Sequence, residues 1–112
     1  MIITQKIKLD EVKAMAKATF GDLVKAVVDV DREIIAVDAE LHSDLEALLL
    51  ADGSTQNNLW GINVDPEKLG EAVIEFDSMI ILRPSQNNNS RGVEDIQVRK
   101  KIIEIVGKRI IR

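Results

Sequence analysis

The stretch LVKAVVDVDREIIAVDAELHSDLEALLLADGS, residues 23–54, decides the fold. Its first part holds two strand patterns, LVKAVVDV (23–30) and IIAVDAEL (34–41), rich in β-branched residues and joined by a short Asp-Arg-Glu link. A link that short makes an antiparallel hairpin, because parallel neighbours need a long crossover. Alternation places Val24, Ala26, Val28 and Val30 on one face of the first strand. Ile35, Val37, Ala39 and Leu41 share one face of the second. The last part, SDLEALLLADGS (43–54), reads two ways. Ser43 and Glu46 match a capping box, and Leu41, Leu45, Leu48 and Leu49 match a helix face. The run of three leucines also suits a strand buried on both faces. Its shortness and its bounding turn residues favour the strand.

Outward from this stretch, the pattern continues as short strands flanked by two helices. IITQKI (2–7) and LWGINV (59–64) read as strands, and AVIEFDSMIILR (72–83) as the longest strand candidate, with Ile74, Phe76, Ile80 and Leu82 on one side. LDEVKAMAKATFG (9–21) reads as a helix with Leu9, Val12, Ala16 and Phe20 on its apolar face and Gly21 closing it. The closing segment 95–111 reads as a second helix, N-capped by Asp95, with a stripe of Ile96, Ile103, Val106 and Ile110. The expected architecture is α+β in a single domain, residues 1–112. It comprises an antiparallel sheet of about five to six strands with two amphipathic helices packed on one face.

Composition narrows the classes of function. Hydrophobic residues make up 46% and charged residues 30% of the chain, a globular balance. The net charge is -4, which makes nucleic acid an unlikely partner for the chain as a whole. Positive charge is concentrated at the end: between Arg99 and Arg112 six basic residues face only Glu104. With no tyrosine, one tryptophan and two phenylalanines, the chain lacks stacking platforms for single strands. The absence of cysteine removes disulfides and thiolate metal sites. No segment reads as a signal peptide or a membrane helix, so a soluble, cytoplasmic protein is expected.

ELHSDLEALLLADGS (40–54), LWGIN (59–63) and RPSQNNNSRGVED (83–95) together resemble an uncharacterised family of bacterial and archaeal proteins of about this length, a domain of unknown function. The resemblance spans nearly the whole chain and implies no activity, substrate or catalytic residue.

Three groups of residues are candidates for a site. If residues 40–44 run extended, Glu40, His42 and Asp44 point to one side, a set of carboxylates and imidazole that suits a divalent metal or proton transfer. Asp77 or Asp52 would have to complete it. The bland alternative is a solvated strand end. Arg83 and Arg91 bracket a polar loop with Ser85, Gln86 and Ser90, just before a helix N-terminus, as in an anion site. The bland alternative is a flexible surface loop. The basic C-terminal segment suits an acidic partner, or simply the negative end of its helix. Trp60, beside Gly61, reads as a core or interface ring.

The leading reading is a small binding or interaction protein without catalysis or a resident cofactor, with a small anion, a protein or a second copy as partner. The second reading is a metal-assisted, hydrolase-like enzyme using Glu40, His42 and Asp44. The third is a binder of anions or phosphorylated metabolites using Arg83 and Arg91.

Overall fold

The computed structural model describes residues 1–112. Strands β1 (Ile2–Ile3) and β2 (Ile7–Lys8) precede helix α1 (Leu9–Ala18). The hairpin strands β3 (Val24–Asp29) and β4 (Ile34–Val37) follow, then helix α2 (His42–Ala51) and strand β5 (Leu59–Val64). The short strand β6 (Ile74–Glu75), helix α3 (Ile96–Arg109) and strand β7 (Ile110–Ile111) complete the chain. The five-stranded sheet is antiparallel throughout, in the order β1-β4-β3-β5-β6. A separate parallel pair, β2 with β7, ties the chain ends together.

The expected α+β architecture is present, and the two expected helices, α1 and α3, do share one face. Val12 and Ala16 of α1 and Ile102, Ile105 and Val106 of α3 pack with Val24, Ala26, Val28, Ile35, Val37, Trp60, Ile62 and Val64. Two stripes differ in detail. Phe20 is 45% exposed and Ile96 64% exposed, while Ile102 and Ile105 are fully buried. The stripe of α3 is therefore rotated from the one that Ile96, Ile103, Val106 and Ile110 suggested.

Residues 42–51 are a helix rather than a strand. The opposite face of the sheet explains why. Val27, Ile34, Ala36 and Leu59 project there, and Leu45 and Leu49, one turn apart on α2, cover them. β4 is apolar on both sides and every residue of β3 except Lys25 is buried, which requires a layer on each side. Leu48 and Leu50 remain 39% and 40% exposed, so the leucine run is not buried on all sides. The helix has Leu41 at its N-cap, with no side-chain cap, and so does not use the Ser43–Glu46 capping box.

Residues 72–83 also depart from expectation. Only Ile74 and Glu75 pair with β5, and the chain then leaves the ladder. Ser78, 1% exposed, caps a 3-10 turn at Met79–Ile81 by accepting from the Ile80 N–H. Gly61 makes this path available. A Cβ there would lie 2.4 Å from Ser78 Oγ and 3.2 Å from Ile80 Cγ1. The 78–80 segment thus crosses the face of β5 where any other residue would hold it off.

The hairpin turn is tied to α3 through Glu33. Its backbone is left-handed, with φ +57°, and its carboxylate pairs with Lys101 at 3.0 Å and Lys108 at 2.7 Å. Arg109 Nε donates to its carbonyl. The hydrogen bonds and charges of Lys108 and Lys101 pull the Glu33 pKa from 4.5 to about 2.

Two predictions follow from this architecture. A carboxylate with a folded pKa below its unfolded value stabilises fully above the unfolded pKa and loses that contribution as pH falls through the folded one. Thermal unfolding followed between pH 5 and pH 2 should therefore show a shallower loss of Tm for Glu33→Gln than for the native chain, with the two curves meeting near the acid end; parallel curves would deny Glu33 this role. Gly61→Ala should lower stability by about 1–3 kcal/mol in urea unfolding, the usual cost of overpacking; an unchanged midpoint would show that the 78–80 segment yields freely.

Candidate functional site

His42 is the first residue of α2 and only 8% exposed. Its Nε2 lies 2.7 Å from the Ile62 carbonyl, which only accepts, so this nitrogen carries a proton and donates. Burial pushes the imidazole pKa below the usual 6.5, and the Lys25 charge adds to that. The Ile62 carbonyl, the Asp77 charge and the Asn63 carboxamide act in the opposite direction without overcoming burial. Burial thus favours the neutral imidazole of His42, and the Ile62 carbonyl of β5 fixes its tautomer.

Where α2 begins, it leaves an open cleft of about 250 Å3 against the sheet. Lys25 of β3 and Asn63 of β5 come from the sheet. His42 and Ser43 come from the first turn of α2, and Ser78 from the segment admitted by Gly61. Asp77 and Arg91 form the rim. Asn63 Nδ2 donates to Glu75 Oε1 at 3.0 Å, which orients the amide, and Asn63 Oδ1 is buried without a partner. With no side-chain cap on α2, its first-turn N–H groups have no side-chain acceptor, and the positive end of the helix faces this region. Arg91 Nε pairs with Asp77 Oδ1 at 2.8 Å, with the side chains 57% and 43% exposed. An exposed pair of this kind contributes about 0–1 kcal/mol, so either member can exchange its partner for a ligand.

The geometry that placed Glu40, His42 and Asp44 along a strand does not exist. Glu40 lies before α2 and is exposed, Asp44 is exposed in its first turn, and His42 points inward. No group of three or more His, Cys, Asp or Glu residues is placed to hold a metal ion. Asp52, offered as a completing ligand, pairs with Arg32 at 2.8 Å. Asp77 does lie near His42, on the rim of the same cleft.

The 83–92 loop is divided between two roles. Arg83 turns inward. Its Nη2 meets Glu46 Oε2 at 3.2 Å, its Nε donates to the Ile80 carbonyl, and its guanidinium lies 5.5 Å from the Trp60 ring centre. Both partners of that ion pair are largely buried, at 11% and 15% side-chain exposure. Its partner is Glu46 of α2. Ser85 is exposed, Gln86 donates to the Asn57 carbonyl, and Ser90 accepts from the Gly92 N–H, so none of these three reaches the cleft. Of the proposed anion-site residues, Arg91 alone does.

Asn88 holds this loop in place. It is 2% exposed, its amide donates to the carbonyls of Ile81 and Gly92, and its Oδ1 accepts from the Glu94 N–H. Ser78 had no mark in the sequence to separate it from ordinary strand residues. Lys25 and Asn63 carried one signal in retrospect: each is a polar residue inside an otherwise apolar strand.

A family model described as "Protein of unknown function (DUF5674)" matches residues 1–109. No curated protein and no solved structure matches the chain.

The two arginines should separate in urea unfolding. Arg83→Ala is expected to cost about 3 kcal/mol, because Glu46 is left charged, largely buried and unpaired. Arg91→Ala is expected to cost less than about 1 kcal/mol. The reverse order would contradict these placements.

Proposed function

The chain belongs to the DUF5674 family, proteins of unknown function, and from its own geometry we propose that it is a small binding protein whose ligand is a small anion held where α2 begins. One observation carries this reading: two cations from distant parts of the chain, Lys25 and Arg91, meet the uncapped first turn of a ten-residue helix in a single cleft. The N–H groups of His42 and Ser43 are open, while that of Asp44 is taken by the Leu41 carbonyl; such a helix start is a ready anion site, and guanidinium and ammonium groups add charge to it. Arg91 supports the reading only if it leaves Asp77, which the exposure of that pair allows. Arg83 takes no part, since Glu46 holds it.

Burial disfavours the charged form of His42, so the affinity rests on Lys25, Arg91 and the helix start. The metal-assisted reading has no comparable support, because Glu40 and Asp44 do not join His42.

Thermal unfolding in sodium phosphate, sulfate and citrate, each against sodium chloride at equal ionic strength, tests the proposal. A ligand at 100 times its Kd stabilises by about 2.7 kcal/mol through mass action. At least one of the three anions should raise Tm beyond the chloride control, and Arg91→Ala and Lys25→Met should each reduce the rise. No rise with any of the three, or a rise indifferent to both substitutions, would overturn it.

A further inference from the structure

A second cleft, of about 510 Å3, lies at the other end of the 83–92 loop and has a different chemistry. It forms where the structure brings together two triplets of the same sequence, Gln56-Asn57-Asn58 and Gln86-Asn87-Asn88. The first is a 3-10 turn just before β5, and the second begins at the last residue of the 3-10 turn Pro84–Gln86. Gln86 Nε2 donates to the Asn57 carbonyl at 3.2 Å, so the two walls are bonded to each other. Asn88, buried and fully bonded, fixes the second wall from behind.

The other three carboxamides that line the cleft are not used in this way. The side chains of Asn57, Asn58 and Asn87 make no hydrogen bond within the protein, and all three line the cleft. Asn87 has a left-handed backbone, with φ +59°, which accounts for an asparagine at that position. Asn57 and Asn58 have no positive φ, so the backbone does not require the residue type there. Glu94 and Asp95 add carboxylate acceptors beyond the oxygens that take the Asn89 and Gln97 N–H groups, and no lysine or arginine lines the cleft. Each carboxamide both donates and accepts, as a hydroxyl does, while the two carboxylates accept only and repel anions.

We propose that this cleft binds a neutral, hydroxyl-rich ligand of sugar size, held by the side chains of Asn57, Asn58 and Asn87 with Glu94 and Asp95 as further acceptors. The volume lies within the roughly 300–1,000 Å3 of small-molecule sites. Val30, Val98 and the edge of the nearly buried Trp60 give the floor an apolar part for the C–H face of such a ligand. The inference is independent of the anion cleft, whose cations, Lys25 and Arg91, lie elsewhere.

The test is a 15N-resolved NMR titration of the whole chain with D-glucose, D-galactose, D-mannose, N-acetyl-D-glucosamine and maltose in turn. At least one should shift the side-chain NH2 signals of Asn57, Asn58 or Asn87 saturably, leaving the backbone signals of Ser43 and Arg91 in place. The double variant Asn57→Ala/Asn58→Ala should weaken that binding about tenfold or more, as the loss of two or more hydrogen bonds would. Its Tm should stay near that of the native chain, which separates lost binding from lost fold. No saturable shift with any of the five, or a shift that survives the double substitution, would overturn the proposal. So would displacement of the same NH2 signals by sodium phosphate, which would assign the cleft to anions.

Discussion

Val27, Ile34, Ala36 and Leu59 project from the face of the sheet that α1 and α3 leave bare, and their burial governs how the rest of the chain is arranged. Each of the larger ones contributes about 1.5–3 kcal/mol when it leaves water. Leu45 and Leu49 provide the cover, at a spacing that only a helix puts on one side. Once α2 lies there, its first turn must stand over the middle of β3 and β5. The anion cleft is a consequence of that placement. His42 is pinned to the Ile62 carbonyl because the helix starts directly above it.

Gly61 acts through the same layer. On the α2 face of β5, residues 78–80 cross over Gly61 and approach closer than a Cβ would permit. Ser78 thereby becomes the second wall of the cleft, and Asp77 is brought to its rim. The same path carries the chain into the 83–92 loop, where Arg83 is anchored on Glu46 of α2 and Asn88 closes the turn. Both clefts therefore depend on one segment that leaves the ladder after Glu75. Neither contains a residue from the basic end of the chain, whose Lys101, Lys108 and Arg109 are spent on holding the hairpin turn through Glu33. The concentration of positive charge there has a structural explanation inside the chain.

The sequence by itself determined the α+β class, the β3–β4 hairpin, β5, the Asp95 cap of α3, and the placement of α1 and α3 on one face. These follow from local signals: alternation, short links, capping residues and helical periodicity, each contained in a few consecutive positions. It also contained a signal for the third layer, because IIAV is apolar on both sides, although the leucine run that answers it is ambiguous when read alone. Tertiary structure decided that residues 42–51 are helical, since the bare face of the sheet, distant in sequence, selects the helix. It decided that residues 74–83 leave the sheet, since Gly61 offers a closer packing than continued pairing. It decided which arginine is structural, since Glu46 reaches Arg83 only after α2 has docked. The clefts belong wholly to this second category. Lys25, His42, Asn63 and Arg91, like Asn57 and Asn87, are joined by no local pattern, and only the packing of layers sets their side chains around a common space.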